Sequence, residues 1–228
     1  MKKTTTTHEV QRQGGFFHNV AGTKTHKKSK YLKIKRGVDV FCATVALVML
    51  TPLFIIVMLA ICLESKGHPI YNQVRVGKDG REFKFYKFRS MCQNADSQLE
   101  TLMELNERDG PAFKLDNDPR ITKVGAIIRK TCIDELPQLW NIIKGDMSIV
   151  GPRPPLPQEV LIYSNYHKQR LSVVPGLTCW WQVQKGEDTT FEEWVEMDIK
   201  YINDISFLLD LKLIFKTLGV VLLGKGDK

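Results

Sequence analysis

Val40–Leu63 is a run of 24 residues interrupted only by Thr44, Thr51 and Pro52 among alanines, cysteines and large apolar side chains. As a straight helix it would be about 36 Å long against a hydrocarbon core of about 30 Å. No polar stripe marks an exposed face, so membrane insertion is the strongest reading of the run. A cleavable signal peptide is disfavoured by the length of the run, by the long basic stretch before it and by the lack of a small-x-small site after it. Pro52 sits at the midpoint, where it removes the hydrogen bond to the Val48 carbonyl and kinks a helix. Thr51 can partly satisfy the freed backbone. The segment alone leaves two topologies open. If it crosses, the positive-inside rule puts residues 64–228 outside; if it bends at Thr51-Pro52 and returns, both ends stay in the cytosol.

Charge divides sharply along the chain. Residues 1–37 hold ten Lys/Arg and one Glu, whereas the 23 basic and 23 acidic residues of 64–228 cancel. A globally basic nucleic-acid-binding domain is therefore not expected. Residues 1–30, rich in Thr, Lys, His and Gly, read as a disordered basic arm. Lys24, Lys27, Lys28, Lys30, Lys33, Lys35 and Arg36 precede the apolar run, where anionic headgroups attract about 1 kcal/mol per charge; a merely solvated tail is the alternative. The five cysteines are dispersed and lack C-x-x-C spacing, which points to reduced thiols facing the cytosol and to no structural metal site.

Beyond the run the pattern is α+β, mostly helical with one small β-hairpin. Ile70–Val76 and Arg81–Phe88 flank a Gly77-Lys-Asp-Gly80 turn. The second strand ends in Lys87-Phe88-Arg89, either a charged strand edge or a phosphate contact. Residues 94–108 read as an amphipathic helix with Leu99, Leu102 and Met103 inward. Asp116-Asn-Asp118-Pro119 marks a loop, and Thr122 caps a helix ending at Arg129 and Lys130. Residues 157–172 are expected to be one helix. Thr189-Thr-Phe-Glu192 reads as a capping box ahead of a core stripe from Phe191 to Ile205. Phe207–Leu223 carries Asp210, Lys212 and Lys216 and reads as an interfacial or core helix.

Chemistry concentrates in Arg129–Pro155. Asp134 and Glu135 follow a basic pair, and a Gly-Pro-Arg-Pro-Pro turn ends the stretch. A carboxylate that attacks phosphorus needs cations on both partners and a good leaving group. Asp134 and Glu135 can share one Mg²⁺, which favours oxygen ligands and bridges substrate phosphates. Arg129, Arg153 and the Lys87/Arg89 pair can hold the remaining oxygens. Asp134 can also cap a helix over Leu136–Lys144, with Pro137 in its first turn. Asp-Glu-Leu-Pro is equally a common way to begin a surface helix, so on these residues alone both readings stand. No Walker loop, Rossmann fingerprint or Ser/His/Asp pattern competes.

Gln73-x-Arg75-Val-Gly77, Tyr86-Lys-Phe-Arg-Ser-Met91, Asp118-Pro-Arg-Ile-Thr122, Asp134-Glu-Leu-Pro-Gln-Leu-Trp-Asn141, Gly145-Asp-Met-Ser-Ile-Val-Gly-Pro-Arg-Pro154 and Pro175-Gly-x-Thr178 with Trp181-Gln-Val183 occur in order. Together they resemble the bacterial sugar transferase family, the monotopic phosphoglycosyl transferases, over roughly residues 31–224. The tail resembles the exopolysaccharide and capsule branch, without the multi-helix region that precedes this unit in larger members. The resemblance implies transfer of a hexose-1-phosphate from a UDP-sugar to undecaprenyl phosphate, releasing UMP, as the first membrane step of exopolysaccharide, capsule or O-antigen synthesis. It makes Asp134 the nucleophile of an aspartyl phospho-sugar intermediate and Glu135 a partner in holding Mg²⁺. Lys87, Arg89, Arg129, Pro152 and Arg153 fall at positions near the phosphates or nucleotide. Lys185 stands where a Gly-Arg pair is usual, a point charge without the bidentate fork. Val174 and Cys179 also depart from the usual residues.

The same resemblance implies a re-entrant helix broken at Thr51-Pro52. The expected organisation is a disordered arm over 1–30, a membrane helix over 31–64, and a catalytic domain over 65–228 on the cytosolic face of the bacterial inner membrane, held by that lipid and by interfacial amphipathic helices. The sugar is left open among galactose, glucose and an N-acetylated hexose, as are a homodimer and downstream glycosyltransferases as partners. A membrane-tethered scaffold without catalysis is the rival from another class, and would produce no Mg²⁺-dependent UMP.

Overall fold

The structure, a computed structural model, describes residues 25–95, 97–102, 106, 115, 117–184 and 189–223. Two helices lead: α1 (Thr25–Met49) and α2 (Thr51–Glu64). Residues 1–24 of the expected arm lie outside the described residues, and its last six are already helical in α1. The break falls where Pro52 places it. Leu50 leaves helical geometry, Pro52 enters the first turn of α2, and the two axes bend by 61°. Thr51 Oγ1 donates to the Leu47 carbonyl at 2.9 Å, satisfying one acceptor beside the kink. No single helix among the described residues is long and apolar enough to cross a membrane; Lys30–Met49 and Thr51–Glu64 taken together meet that length and composition, across a bend of 61°.

The hairpin forms as its turn residues dictate. β1 (Ile70–Val76) pairs antiparallel with β2 (Glu82–Phe88), with Tyr71 opposite Lys87 and Arg75 opposite Phe83. Asp79 and Gly80 take positive φ at the tip, as a tight Asp-Gly turn requires. Then come α3 (Leu99–Leu102), α4 (Lys123–Lys130), a 3₁₀ turn at Ile133–Glu135, and α5 (Gln138–Lys144). Thr122 caps α4 by accepting from the Gly125 N–H at 2.9 Å. Asp118 is a turn former: it forks onto buried Arg120 at 2.6 and 2.8 Å and accepts that residue's own N–H at 3.0 Å. The amphipathic helix expected over 94–108 does not begin at 94: Asn94, Ala95, Ser97 and Gln98 are turns, with Asn94 at a positive φ of 69°, and the described helical part is α3; Met103 lies outside the described residues.

A second sheet was not expected. β3 (Ser148–Val150) and β4 (Gly176–Thr178) pair in parallel, with Ser148 opposite Gly176. They are joined by α6 (Pro157–Leu161) and a 3₁₀ turn at His167–Ser172. The single helix expected over 157–172 is therefore split, because Ser164 Oγ accepts the His167 N–H and starts a new turn. The chain ends in α7 (Trp180–Gln184), α8 (Phe191–Asp204) and α9 (Phe207–Leu222). The capping box of α8 sits one residue later than expected. Thr190 accepts from the Glu193 N–H while Glu193 accepts from the Thr190 N–H, and Glu192 instead meets His167 at 3.0 Å.

Three apolar clusters tie these pieces together. Ala43, Ala46, Leu47 and Leu50 pack with Phe85, Leu139, Ile142 and Met147. Leu53, Phe54, Val57, Met58 and Ile61 pack with Phe88, Ile128, Ile133 and Leu136. Val150, Tyr201, Ile205 and Leu213 form the third cluster under the C-terminal helices.

Both outer ends of the bent pair are also clamped by polar groups. Near its start, Lys35 pairs with buried Asp210 at 2.6 Å, and Asp39 accepts from Ser148 Oγ at 2.6 Å. Tyr31 and Tyr201 both donate to Asp210, at 2.6 and 2.7 Å. Arg36 donates to the carbonyls of Ile142 and Ile143 at the end of α5. At the other end, Glu64 accepts the free N–H groups of Lys123 and Val124 at the start of α4, at 2.8 and 3.1 Å.

Candidate active site

α4 ends at Thr131, and Cys132 turns the chain through a left-handed conformation with φ 55°. That conformation costs a non-glycine residue about 1 kcal/mol, and it delivers the two carboxylates side by side in one short turn. Asp134 does not cap α5 as expected, since α5 begins at Gln138 with Pro137 before it and no side-chain cap. Asp134 is 6% exposed. Glu135 is more open and meets Lys87 Nζ at 2.7 Å, and the same ammonium lies 3.6 Å from Asp134 Oδ2. Burial disfavours the charged ammonium, but Glu135 and Asp134 outweigh it and hold Lys87 above its ordinary value.

Lys87 and Glu135 line a small cleft that opens to solvent. Arg75, Phe85 and Gln138 line it too, together with Arg153, Pro154, Gly176, Leu177 and Gln182. Arg75 is the residue that sequence reasoning missed as a site group, although it sits in the quoted Gln73-x-Arg75 motif. Its guanidinium is buried, stacks over Phe85, and donates to Gln73 Oε1 at 2.8 and 3.0 Å and to the Pro154 carbonyl at 3.0 Å. None of those acceptors is charged. Burial and the neighbouring positive charge of Arg153 push Arg75 down to about 10. Two guanidinium groups that repel each other across an open cleft make a place for an anion.

The Arg153 turn is held by two backbones in close contact. The Gly176 N–H donates to the Pro152 carbonyl at 2.9 Å, and the Gly151 N–H donates to Thr178 at 3.0 Å. A Cβ on Gly176 would lie 2.0 Å from the Gly151 nitrogen. Gly-Pro-Arg-Pro and Pro-Gly, far apart in sequence, are therefore two halves of one crossing. Pro152 serves through its backbone, and Arg153 stacks over Trp194 at 5.9 Å. Behind it Arg170, Asp198 and Tyr163 form a buried set, with Arg170 Nε 2.7 Å from Asp198 and Nη1 2.9 Å from the Tyr163 hydroxyl. α5 docks on β2 through Asn141, which donates to the Lys84 carbonyl at 2.6 Å and accepts the Tyr86 N–H at 3.1 Å.

Lys87, Glu135 and Arg153 thus line one cleft, with Asp134 3.6 Å from the Lys87 ammonium, while Pro152 takes part only through its backbone carbonyl. Arg89 is placed elsewhere: its two terminal nitrogens donate to the carbonyls of Ser65 and Lys66, each at 2.8 Å, beyond the end of α2. It fastens the end of α2 instead of lining the cleft. Arg129 lies at the end of α4 outside the cleft walls, and its charge lowers Asp118 together with the closer Arg120. Lys185 lies outside the described residues.

For a metal, no grouping of three or more His, Cys, Asp or Glu exists among the described residues. The two adjacent carboxylates cannot form a protein-only cage. They do fit an ion such as Mg²⁺ bound by one or two carboxylates and completed by substrate phosphates and water.

Known proteins resemble this chain over most of its length. The model of a family described as bacterial sugar transferase matches residues 30–224. The galactosyl transferase CpsE of Streptococcus agalactiae serotype III (strain NEM316) is 45% identical over 204 residues, covering 88% of this chain and 45% of that protein. The exopolysaccharide production protein ExoY of Rhizobium meliloti (strain 1021) is 40% identical over 197 residues, covering 85% and 87%. An undecaprenyl-phosphate galactose phosphotransferase of Salmonella typhimurium is 40% identical over 207 residues, covering 88% and 42%. The chain spans less than half the length of the first and third of these relatives and most of the second.

Proposed function

The chain belongs to the bacterial sugar transferase family, and from that premise we propose that it transfers a sugar-1-phosphate from a UDP-sugar to undecaprenyl phosphate through a covalent intermediate on Asp134. The observation that carries the reading is the pairing of Asp134 and Glu135 on Lys87, at the edge of a cleft faced by Arg75 and Arg153. The donor diphosphate lies among these cations, which neutralise it so that a carboxylate can approach phosphorus. An Asp134 oxygen bonds to the sugar-linked phosphorus, the bond to the bridging oxygen breaks, and UMP leaves with that oxygen. The phosphate of the lipid acceptor then attacks the same phosphorus and returns the carboxylate. Mg²⁺, when held by Glu135 and Asp134, would supply Lewis-acid polarisation of the phosphoryl oxygens. Lys87, held above its ordinary value, stays a cation throughout neutral pH.

A lipid acceptor requires the site to lie at a membrane surface. That fits a re-entrant pair, because both outer ends of α1–α2 are fastened to the same domain. It also fits α9, where Phe207, Leu208, Phe215 and Leu218 are exposed while Leu213 and Asp210 face inward. With both ends on one side, the domain belongs on the cytosolic face, where UDP-sugars and free cysteines belong. Galactose is the first donor to test, since two of the relatives above are named for it.

The test is UMP release from a panel of UDP-sugars with undecaprenyl phosphate and Mg²⁺. Asp134→Asn should fall to background with an unchanged Tm. Substantial UMP release by that variant would remove Asp134 from the nucleophile's role.

A further inference from the structure

Two side-chain amides on one short helix are equally buried and behave in opposite ways. Asn141, 0% exposed, uses both ends of its amide to dock α5 on β2. Gln138, 2% exposed and one turn earlier, has a buried Nε2 that meets no acceptor, and it lines the cleft beside Glu135 and Lys87. A buried amide without a partner is destabilising, and native folds keep few of them. Gln138 follows Glu135 by three residues and Asp134 by four, so it faces the same side of the chain as the carboxylates. The terminal torsion of a glutamine is soft, so a turn of the amide carries its donor into the cleft.

We propose that Gln138 is a substrate-contacting residue whose amide donates a hydrogen bond to a non-bridging phosphate oxygen of the donor diphosphate. It is a neutral donor beside the cations Lys87, Arg75 and Arg153, and it adds directionality without attracting the Asp134 carboxylate as a further positive charge would. This rests on reading the cleft as the phosphoryl-transfer site. The contact strengthens as charge shifts on the phosphoryl oxygens, so it belongs mainly to the transition state.

The test is Gln138→Met, which keeps the volume and removes the amide, measured in the full-length protein in detergent. Its Tm should equal or exceed that of the wild type, since no hydrogen bond of the fold is lost. Its kcat for UMP release should fall roughly 10²-fold, the usual effect of deleting one such donor, with KM changed far less. Asn141→Leu serves as the contrast, with a lowered Tm. Wild-type turnover in Gln138→Met would overturn the assignment, and so would a Tm several degrees below the wild type, which would mean that the amide supports the fold. If the wild type turns over no UDP-sugar, it is the reaction that has been misread. The contact to a donor diphosphate then falls with it, whereas a wild type that turns over isolates Gln138→Met as the test of the amide alone.

Discussion

Gly176→Ala is the sharpest probe of how the Arg153 turn is held. The new methyl would stand 2.0 Å from the Gly151 nitrogen, 2.6 Å from the Val150 carbonyl carbon and 2.7 Å from the Gly151 Cα. The first contact is about 1.4 Å inside the 3.4 Å at which ordinary van der Waals contact begins. All three atoms are backbone, so no side chain can swing aside. Relief requires β3 and β4 to part by about an ångström. That breaks the bonds from Gly176 to Pro152 and from Gly151 to Thr178 and strains the one from Ser148 to Pro175, now 2.9, 3.0 and 2.8 Å. The segment is buried, so each lost bond leaves groups unpaired at about 1–3 kcal/mol, and the total should reach roughly 2–5 kcal/mol. For a chain of this size that lowers Tm by about 5–15 °C. Arg153 would move by a similar distance, enough to lower UMP release by roughly 10² in the fraction that remains folded. Scanning fluorimetry in detergent and a UMP-release assay read the two effects. Gly37→Ala is the control: nothing lies within 4 Å of its new methyl, and inside α1 it should be neutral or slightly stabilising. A Gly176→Ala protein with wild-type Tm and activity would refute the crossing.

Asp118→Asn should cost roughly 1–3 kcal/mol at neutral pH, because it removes the charge of the carboxylate that forks onto the buried Arg120 guanidinium. Hydrogen bonds from Arg120 hold the Asp118 carboxyl below its usual range, so its stabilisation is present above the unfolded value of about 3.9 and fades as pH falls through the folded value. The Tm gap between wild type and variant should therefore be full at pH 7 and close below about pH 4; a gap independent of pH would discount the ion pair. Arg89→Lys should lower Tm, since one ammonium cannot serve the two carbonyls and the hydroxyl that the guanidinium now reaches. Its KM for the UDP-sugar should stay near that of the wild type, and a large rise in KM would return Arg89 to the phosphate.

What the sequence disclosed was local. Pro52 broke its helix, Asp79-Gly80 turned the hairpin and Thr122 capped α4, each through chemistry contained within four residues. Asp134, Glu135, Lys87 and Arg153 were legible as a set only because motifs flanked them; the structure brings Glu135, Lys87 and Arg153 to one cleft and sets Asp134 beside it, 3.6 Å from the Lys87 ammonium. What stayed hidden was settled at long range. β3 and β4 are three residues each, too short for alternation to show, and they exist because two glycine turns cross. Arg75 looked like a strand residue and Arg89 like a phosphate contact beside Lys87, and their fates were decided by which carbonyls lay nearby. Asp210 looked like a blemish in an apolar helix. It is the acceptor for Tyr31, Lys35 and Tyr201, the first of them 179 residues away.

The spacing within Ile133–Ile142 explains why the chemistry sits against the bent helices. Ile133, Leu136, Leu139 and Ile142 recur every third residue, and all four belong to the clusters built on α1 and α2. Glu135 and Gln138 fall between them and line the cleft, while Asn141 turns to β2. One short stretch therefore meets the bent helix pair with its apolar positions and the cleft with its polar ones. The helix pair beneath it is pinned at both outer ends by Lys35, Asp39, Glu64 and Arg89. A shift of the bend would be transmitted to the carboxylates, because the four apolar residues are packed between the two and close-packed interiors pass on displacement. Under the proposed reaction this has a direct use. The height of Asp134 above the bend is fixed by packing, so a phosphate carried on a lipid chain meets it at a constant depth without a separate lid or docking step.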